Sequence, residues 1–263
     1  MTTLIPLQDR RPASPVRAQN LLAVASGKGG VGKTWFAITL SHALARARQR
    51  VLLFDGDLGL ANVDIQLGLM PHRDLASVLG GQAPFAQAVT HFAPGKFDIV
   101  AGRSGSGCLS GITPARLHGL TDDLMAAAVA YDTVIVDLGG GIEQTVRELT
   151  RRAAGAIVIT TDEPTALTDA YAFIKFTRMD QPAGDISIVV NKATSRAEGE
   201  RTYATLNRAC QGFLGFSPRL LGVVRRDVLV REAIRIQSPI LTGFPSSDAA
   251  SDVEAVAQRL LSG

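Results

Sequence analysis

The stretch that most restricts what this chain can become is Ala25-Ser-Gly-Lys-Gly-Gly-Val-Gly-Lys-Thr34. The apolar run Leu21–Val24 precedes it and reads as a buried strand. Phe36, Leu40, Ala43, Leu44 and Ala47 follow it on one helical face. A glycine-rich turn therefore lies between a strand and a helix N-terminus. Gly27, Gly32, Lys33 and Thr34 stand at the spacing of a phosphate-binding loop. Glycines let consecutive backbone N–H groups converge on an anion with no Cβ in the way, and the helix dipole behind them favours negative charge. Lys33 is expected to reach the β- and γ-phosphates of ATP, and Thr34 to ligate Mg²⁺ through its hydroxyl. The expected nucleotide-binding set is Gly27, Lys28, Gly29, Gly30, Val31, Gly32, Lys33, Thr34 and Trp35.

The rest of the chain fits that start. Short apolar runs at Leu21–Ser26, Val51–Asp55, Phe97–Ala101, Thr133–Asp137, Ala156–Thr161, Ile186–Asn191 and Arg219–Val224 alternate with helical patterns. Most of these runs are continuously apolar, as in strands covered on both faces. Thr113-Pro114 caps one helix, whose face carries Leu117, Leu120, Leu124, Ala127 and Tyr131. Other core stripes are Leu167/Ala170/Tyr171/Ile174, Tyr203/Leu206/Cys210/Phe213 and Ala250/Val253/Ala257/Leu260. The alternation predicts an α/β fold, a doubly wound, mostly parallel sheet flanked by helices on both faces, with ligands at the carboxyl ends of the strands. Residues 1–20 hold prolines and arginines without periodicity and read as a flexible tail; residues 21–263 read as a single domain. With 46% hydrophobic residues the chain can fill one sizeable core.

Acids stand where such a site needs them. Asp55 and Asp57 close the second run, placed to order Mg²⁺-bound water or an attacking water. Val134-Ile-Val-Asp137 is an apolar run ending in an acid, and Asp137 is expected to hold Mg²⁺ through water. Asn191 ends another run, and its side chain carries donors and an acceptor that match an adenine edge.

Lys28, directly after the first loop glycine, is not required by an ordinary phosphate loop. With Lys28-Gly-Gly-Val-Gly-Lys-Thr34 the chain resembles the deviant Walker A ATPases of the MinD/ParA family. The likeness runs from about Leu21 to Leu261. It continues through Asp57-Leu-Gly-Leu-Ala-Asn-Val-Asp64, Leu67-Gly-Leu69, the loop Gly102–Gly107, Thr161-Asp-Glu-Pro-Thr165 with Thr168-Asp-Ala-Tyr171, and Asp227 to Ile234 with Pro239. Within that family it is most similar to the flagellar-number regulators known as FlhG, FleN or YlxH.

The resemblance implies a cytoplasmic ATPase, recruited to the cell pole in some relatives, that forms a homodimer in its ATP state. Lys28 would reach the partner's phosphates and share catalysis with Lys33 and Asp57. Asp57 would orient the attacking water, with Asp55 behind the metal beside Thr34 and Asp137. Asn62 would sit on the phosphate side or at the interface, and Asn191 would contact the base. The implied partners are an FlhF-like GTPase and a flagellar transcription activator. The chain departs from the pattern in several places. Leu138-Gly-Gly-Gly141 replaces a small residue followed by Ala-Gly in the second switch, and Arg225 stands where relatives carry a proline. Residues 1–19 show no clear copy of the segment by which relatives activate FlhF.

Other readings are weighed against residues. A DNA-partition ParA needs a basic stripe, and Arg225, Arg226, Arg231 and Arg235 supply only a short one against a net charge of +3. A MinD-type positioning role is the related alternative. An iron–sulfur carrier on this fold needs paired cysteines, whereas Cys108 and Cys210 stand far apart. A tyrosine-kinase relative needs a tyrosine-rich tail that is absent here. No run is long and apolar enough to cross a membrane, and no signal-peptide core is visible. After Arg235 the only basic residue is Arg259, against Asp248, Asp252 and Glu254. The last helical stripe is therefore expected to pack on the core rather than on a membrane.

Overall fold

Apolar runs with no polar face need cover on both sides, and alternation along each strand decides which side each residue meets. In β1 (Ala18–Ser26), Leu21, Ala23 and Ala25 enter one apolar layer and Val24 the other. In β5 (Thr133–Gly140), Val134, Val136 and Leu138 share the first layer while Ile135 joins the second. The computed structural model describes residues 17–102, 112–181 and 184–262. Most of the 1–20 tail, Cys108 and most of the Gly102–Gly107 loop lie outside them.

The remaining strands are β2 (Val51–Gly56), β3 (Val89–Phe92), β4 (Phe97–Val100), β6 (Ala153–Thr160), β7 (Asp185–Ala193) and β8 (Arg219–Arg225). Their order across the sheet is β3-β4-β2-β5-β1-β6-β7-β8. Every pairing is parallel except β3 with β4. The first layer is closed by α3 (Leu75–Leu79), α4 (Phe85–Ala88), α5 (Pro114–Ala128), α6 (Gln144–Arg152), α7 (Pro164–Asp180) and α8 (Arg196–Leu214). The second is closed by α1 (Lys33–Arg46), α2 (Val63–Leu67), α9 (Val228–Arg235), α10 (Ile240–Gly243) and α11 (Asp248–Leu261). The doubly wound α/β sheet expected from the alternation is thus the fold observed.

Several local expectations change. Ala18–Asn20, assigned to the tail, begin β1, and the Asn20 amide donates to the Ala128 and Tyr131 carbonyls at 2.9 and 2.8 Å. Helix α1 is buried on all sides from Trp35 to Leu44, not along one stripe, because it lies between the sheet and α11. Phe213, placed in the α8 core stripe, is 81% exposed, with its ring edge-on to Tyr171. The strand β3 was not foreseen: Thr90 and His91 interrupt its apolar pattern, and its partner β4 supplies the register, from Val89 opposite Val100 to Phe92 opposite Phe97. The Thr113 cap is present, its hydroxyl accepting from Arg116 N–H at 3.4 Å.

Ala250, Val253 and Ala257 of α11 are buried against α1 and β8, as the stripe predicts. A charge network fixes that helix. Asp252, whose side chain is 1% exposed, accepts from Arg225 Nε at 2.8 Å and from Arg196 at 2.9 Å, and Asp248 also pairs with Arg225. A buried carboxylate with charged donors is tolerable only while those donors remain. Asp252→Ala should therefore lower stability by roughly 2–3 kcal/mol in urea denaturation. A change under about 0.5 kcal/mol would show that the network does not fasten α11.

Candidate functional site

The carboxyl ends of β1, β2, β5 and β7 converge on one loop. Residues 27–32 leave β1 and enter α1, whose N-cap is Gly32 at φ 96. Only glycine adopts that backbone freely, and a Cβ there would also lie 2.5 Å from the Asn191 amide nitrogen. Ser26 steadies the turn by donating its hydroxyl to the Lys28 carbonyl at 2.6 Å. Lys33 is buried at the start of α1, with Thr34 and Trp35 following it. The nine loop residues singled out in the sequence therefore lie together at one strand–helix junction.

Asp55 and Asp137 occupy the same rung of the β2/β5 pairing. Both are fully buried. Burial pushes the Asp137 carboxyl up to about 7, while the nearby Thr34 hydroxyl and Lys33 ammonium pull it part way back. Among the described residues neither Asp137 oxygen has a hydrogen-bond partner at bonding distance. Burial and the Asp137 charge push Asp55 up to about 8. Its oxygens organise the following turn, accepting from the backbone N–H of Asp57 at 3.2 Å and of Asn62 and Val63 at 3.3 Å.

Orphaned, buried carboxylate oxygens beside a threonine hydroxyl are hard oxygen donors, and they suit Mg²⁺. Among the described residues no cluster of three acidic, histidine or cysteine side chains forms a dedicated metal cage. Mg²⁺ keeps waters and shares its coordination with substrate phosphates, so it does not require such a cage.

Asp57 lies at the mouth of this site, accepting from Leu60 N–H at 3.0 Å. It also borders Gly139, where a Cβ would lie 3.4 Å from its carboxylate. The second switch turns its one side chain inward. Leu138 is buried in the first layer and is unavailable to an interface surface. The backbone at Gly139–Gly141 instead follows β5 beside the loop, with Gly140 opposite Ser26 and Gly141 N–H donating to Ser26. Asn62 is exposed, its amide donating to the Leu60 carbonyl at 2.5 Å.

Asn191 is 4% exposed and faces the phosphate loop: its amide donates to the Val31 carbonyl at 2.8 Å, and its oxygen accepts Lys192 N–H at 2.9 Å. Arg225 turns away to Asp252 and Asp248, and Arg235 pairs with Glu232. These pairings break up the short basic stripe.

The contacts of two lysines escaped the sequence reading. Lys28 Nζ donates to Glu163 Oε2 and to Thr165 Oγ1, each at 2.9 Å. The ammonium holds the Glu163 carboxyl below its usual value. Lys192 Nζ donates to the Gly30 carbonyl at 2.7 Å. Nothing in the spacing of Glu163 or Lys192 announces a loop contact. The only signal is that each stands at a strand's carboxyl end near the same site.

Comparison with known proteins agrees with this geometry. The CobQ/CobB/MinD/ParA nucleotide binding domain matches residues 22–240, and the chain belongs to that family. It is 37% identical over 240 residues to the antiactivator FleN of Pseudomonas aeruginosa, covering 91% of this chain and 85% of the relative. It is 27% identical to the flagellum site-determining protein YlxH of Helicobacter pylori, covering 92% and 81%. A solved structure of the septum site-determining protein MinD with Mg-ADP from Pyrococcus horikoshii superposes with a TM-score of 0.78 at 25% identity, covering 94% and 98%. No helix among the described residues is long and apolar enough to cross a membrane.

The acid pair has a pH consequence. Both carboxyls titrate above the ordinary 3.8 in the folded chain, so that chain holds more protons than the unfolded one across the interval between. Stability without nucleotide or metal should fall as pH rises from about 4 to about 8. Asp137→Asn removes one of the two groups and should flatten that fall, with the largest gain near pH 8. Thermal melts at stepped pH measure it. Parallel curves for variant and parent would show that Asp137 does not titrate in this range.

Proposed function

We propose that this protein is an ATP-dependent, dimerising regulatory ATPase that hydrolyses ATP to ADP and phosphate and limits flagellar assembly. Its output would be restraint of a flagellar transcription activator and modulation of an FlhF-like GTPase. The observation that carries the reading is Lys28 in a phosphate loop otherwise complete with Lys33 and Thr34. The likeness to an antiactivator and a flagellum site-determining protein over most of the chain supports the flagellar setting.

Each residue takes a role that its position supports. The loop N–H groups and Lys33 bind the phosphates. Thr34 and Asp137, backed by Asp55, would hold Mg²⁺, which when bound neutralises phosphate charge. Asp57, at the mouth and anchored to its own turn, orients the attacking water. Lys28 is tied to Glu163 and Thr165 within its own subunit, and its side chain is 38% exposed. A solvated contact of that kind breaks easily. The γ-phosphate of a second subunit offers a stronger, charge-assisted partner that ADP lacks. Dimerisation and ATP binding then reinforce each other reciprocally.

Lys33→Ala should weaken ATP binding at least tenfold, about 1.4 kcal/mol. Unchanged affinity by calorimetry would remove the assignment of the loop. Asp57→Ala should retain ATP and lose most turnover, so that the protein accumulates in its ATP state. In that background light scattering with ATP should report a dimer, and adding Lys28→Ala should return it to monomer. If the double variant dimerises as well as its parent, Lys28 has no cross-subunit role.

A further inference from the structure

Successive side chains of a strand point to opposite faces, so neighbours in sequence do not reach the same target from a regular strand. Asn191 and Lys192 do. They bond consecutive carbonyls of the phosphate loop: Asn191 the carbonyl of Val31 at 2.8 Å, Lys192 that of Gly30 at 2.7 Å. A break in β7 makes this geometry possible. Val190 pairs with Val223 and Ala193 with Arg225, so β7 carries one residue more than β8 between those rungs. The extra residue is a bulge, and bulges re-aim side chains.

Lys192 sits there in the left-handed region at φ 59, which a lysine adopts at a cost. The strain is held in place. The Asn191 side-chain oxygen accepts Lys192 N–H at 2.9 Å, Arg226 N–H donates to the Ala193 carbonyl at 2.7 Å, and Arg226 Nε donates to the Lys192 carbonyl at 3.4 Å.

In a trans peptide the carbonyl of one residue and the N–H of the next point in opposite directions. Pulling the Gly30 carbonyl outward turns the Val31 N–H inward, and pulling the Val31 carbonyl outward does the same for the Gly32 N–H. We propose that Asn191 and Lys192 are positioning residues for phosphate binding: the β7 bulge turns both side chains onto consecutive loop carbonyls and so aims the Val31 and Gly32 N–H groups at the phosphates. This rests on the reading of the loop as a phosphate site. It also gives Asn191 a role besides the base, because one of its two amide N–H donors reaches the loop while the other remains for an adenine edge.

The test compares ADP with inorganic pyrophosphate, each with Mg²⁺, by calorimetry. Lys192→Met keeps the strained backbone and removes the donor. It should weaken both ligands by the same factor, about three- to tenfold, one charged hydrogen bond discounted for its exposure. Asn191→Ala should also weaken pyrophosphate, whatever it adds to the loss for ADP. Lys192→Arg restores a donor and should recover most of the loss. Lys192→Gly supplies the separating signature: it removes the left-handed strain, so the melting temperature should hold or rise while affinity for both ligands falls. Affinities equal to wild type in the Met and Gly variants overturn the inference, as does a loss confined to ADP, which would assign these residues to the base. If the wild-type protein binds neither ligand, the phosphate-site reading itself fails, and the variants are not needed to show it.

Discussion

Two carboxylates on one rung of a parallel sheet govern the site. Asp55 and Asp137 face each other across β2 and β5 with no water-exposed surface, and burial drives both toward their protonated forms. Two such groups cannot both ionise in a low-dielectric interior without compensating positive charge. Lys33, itself buried beside Asp137, supplies part of it. The remainder is what a hard cation offers. The consequence reaches beyond the metal, because Asp55 also accepts the N–H groups of Asp57, Asn62 and Val63. Any change in its ionisation alters the strength of three bonds that shape the turn carrying Asp57. The turn is thus electrically linked to the site beneath it.

The strand runs and the loop were legible because their signals are local. An apolar run covered on both faces needs no partner to be recognised, and Gly27–Thr34 carries its geometry in its glycines. Elements defined by neighbours were not legible. Val89–Phe92 is a strand because Phe97–Val100 lies antiparallel beside it. Phe213 fits a helical stripe by spacing, yet its neighbours Cys210 and Leu214 are the ones that meet the first layer there, and Phe213 stays 81% exposed. Asn191 was found as a polar residue at a strand end, but which partner it takes depends on a bulge that only the β7/β8 register reveals. Glu163 and Lys192 meet the loop across 135 and 162 residues, a separation at which sequence pattern carries no information.

The glycines of the second switch follow from the same crowding. Leu138 anchors the end of β5 in the first layer, so the chain beyond it is held against β1. At Gly140 a Cβ would stand 3.1 Å from Gly29 N and 3.3 Å from the Lys28 carbonyl carbon. That contact is with backbone of the phosphate loop and cannot be relieved by a side-chain rotation. A residue without a Cβ lets the two backbones approach, and displacement of the loop is then felt directly by Gly139–Gly141. In this chain the switch and the phosphate loop are coupled through main chain rather than through a side chain.

Three lysines meet at that loop, Lys28 and Lys33 from within it and Lys192 from β7, and their attachments differ in kind. Lys33 is buried beside Asp137. Lys192 is bound to a loop carbonyl from a strained backbone that three hydrogen bonds hold in place. Lys28 is held by a salt bridge to Glu163, whose side chain is 62% exposed. A buried attachment, or one whose backbone is fixed by its neighbours, resists exchange, whereas an exposed ion pair competes with water at every moment. Under the proposed dimer this difference decides which lysine can carry a signal between subunits. Lys33 and Lys192 maintain a site already formed within one chain. Lys28 can leave its contact without disturbing the core, and the close packing of Gly140 against Gly29 fixes the backbone from which it departs.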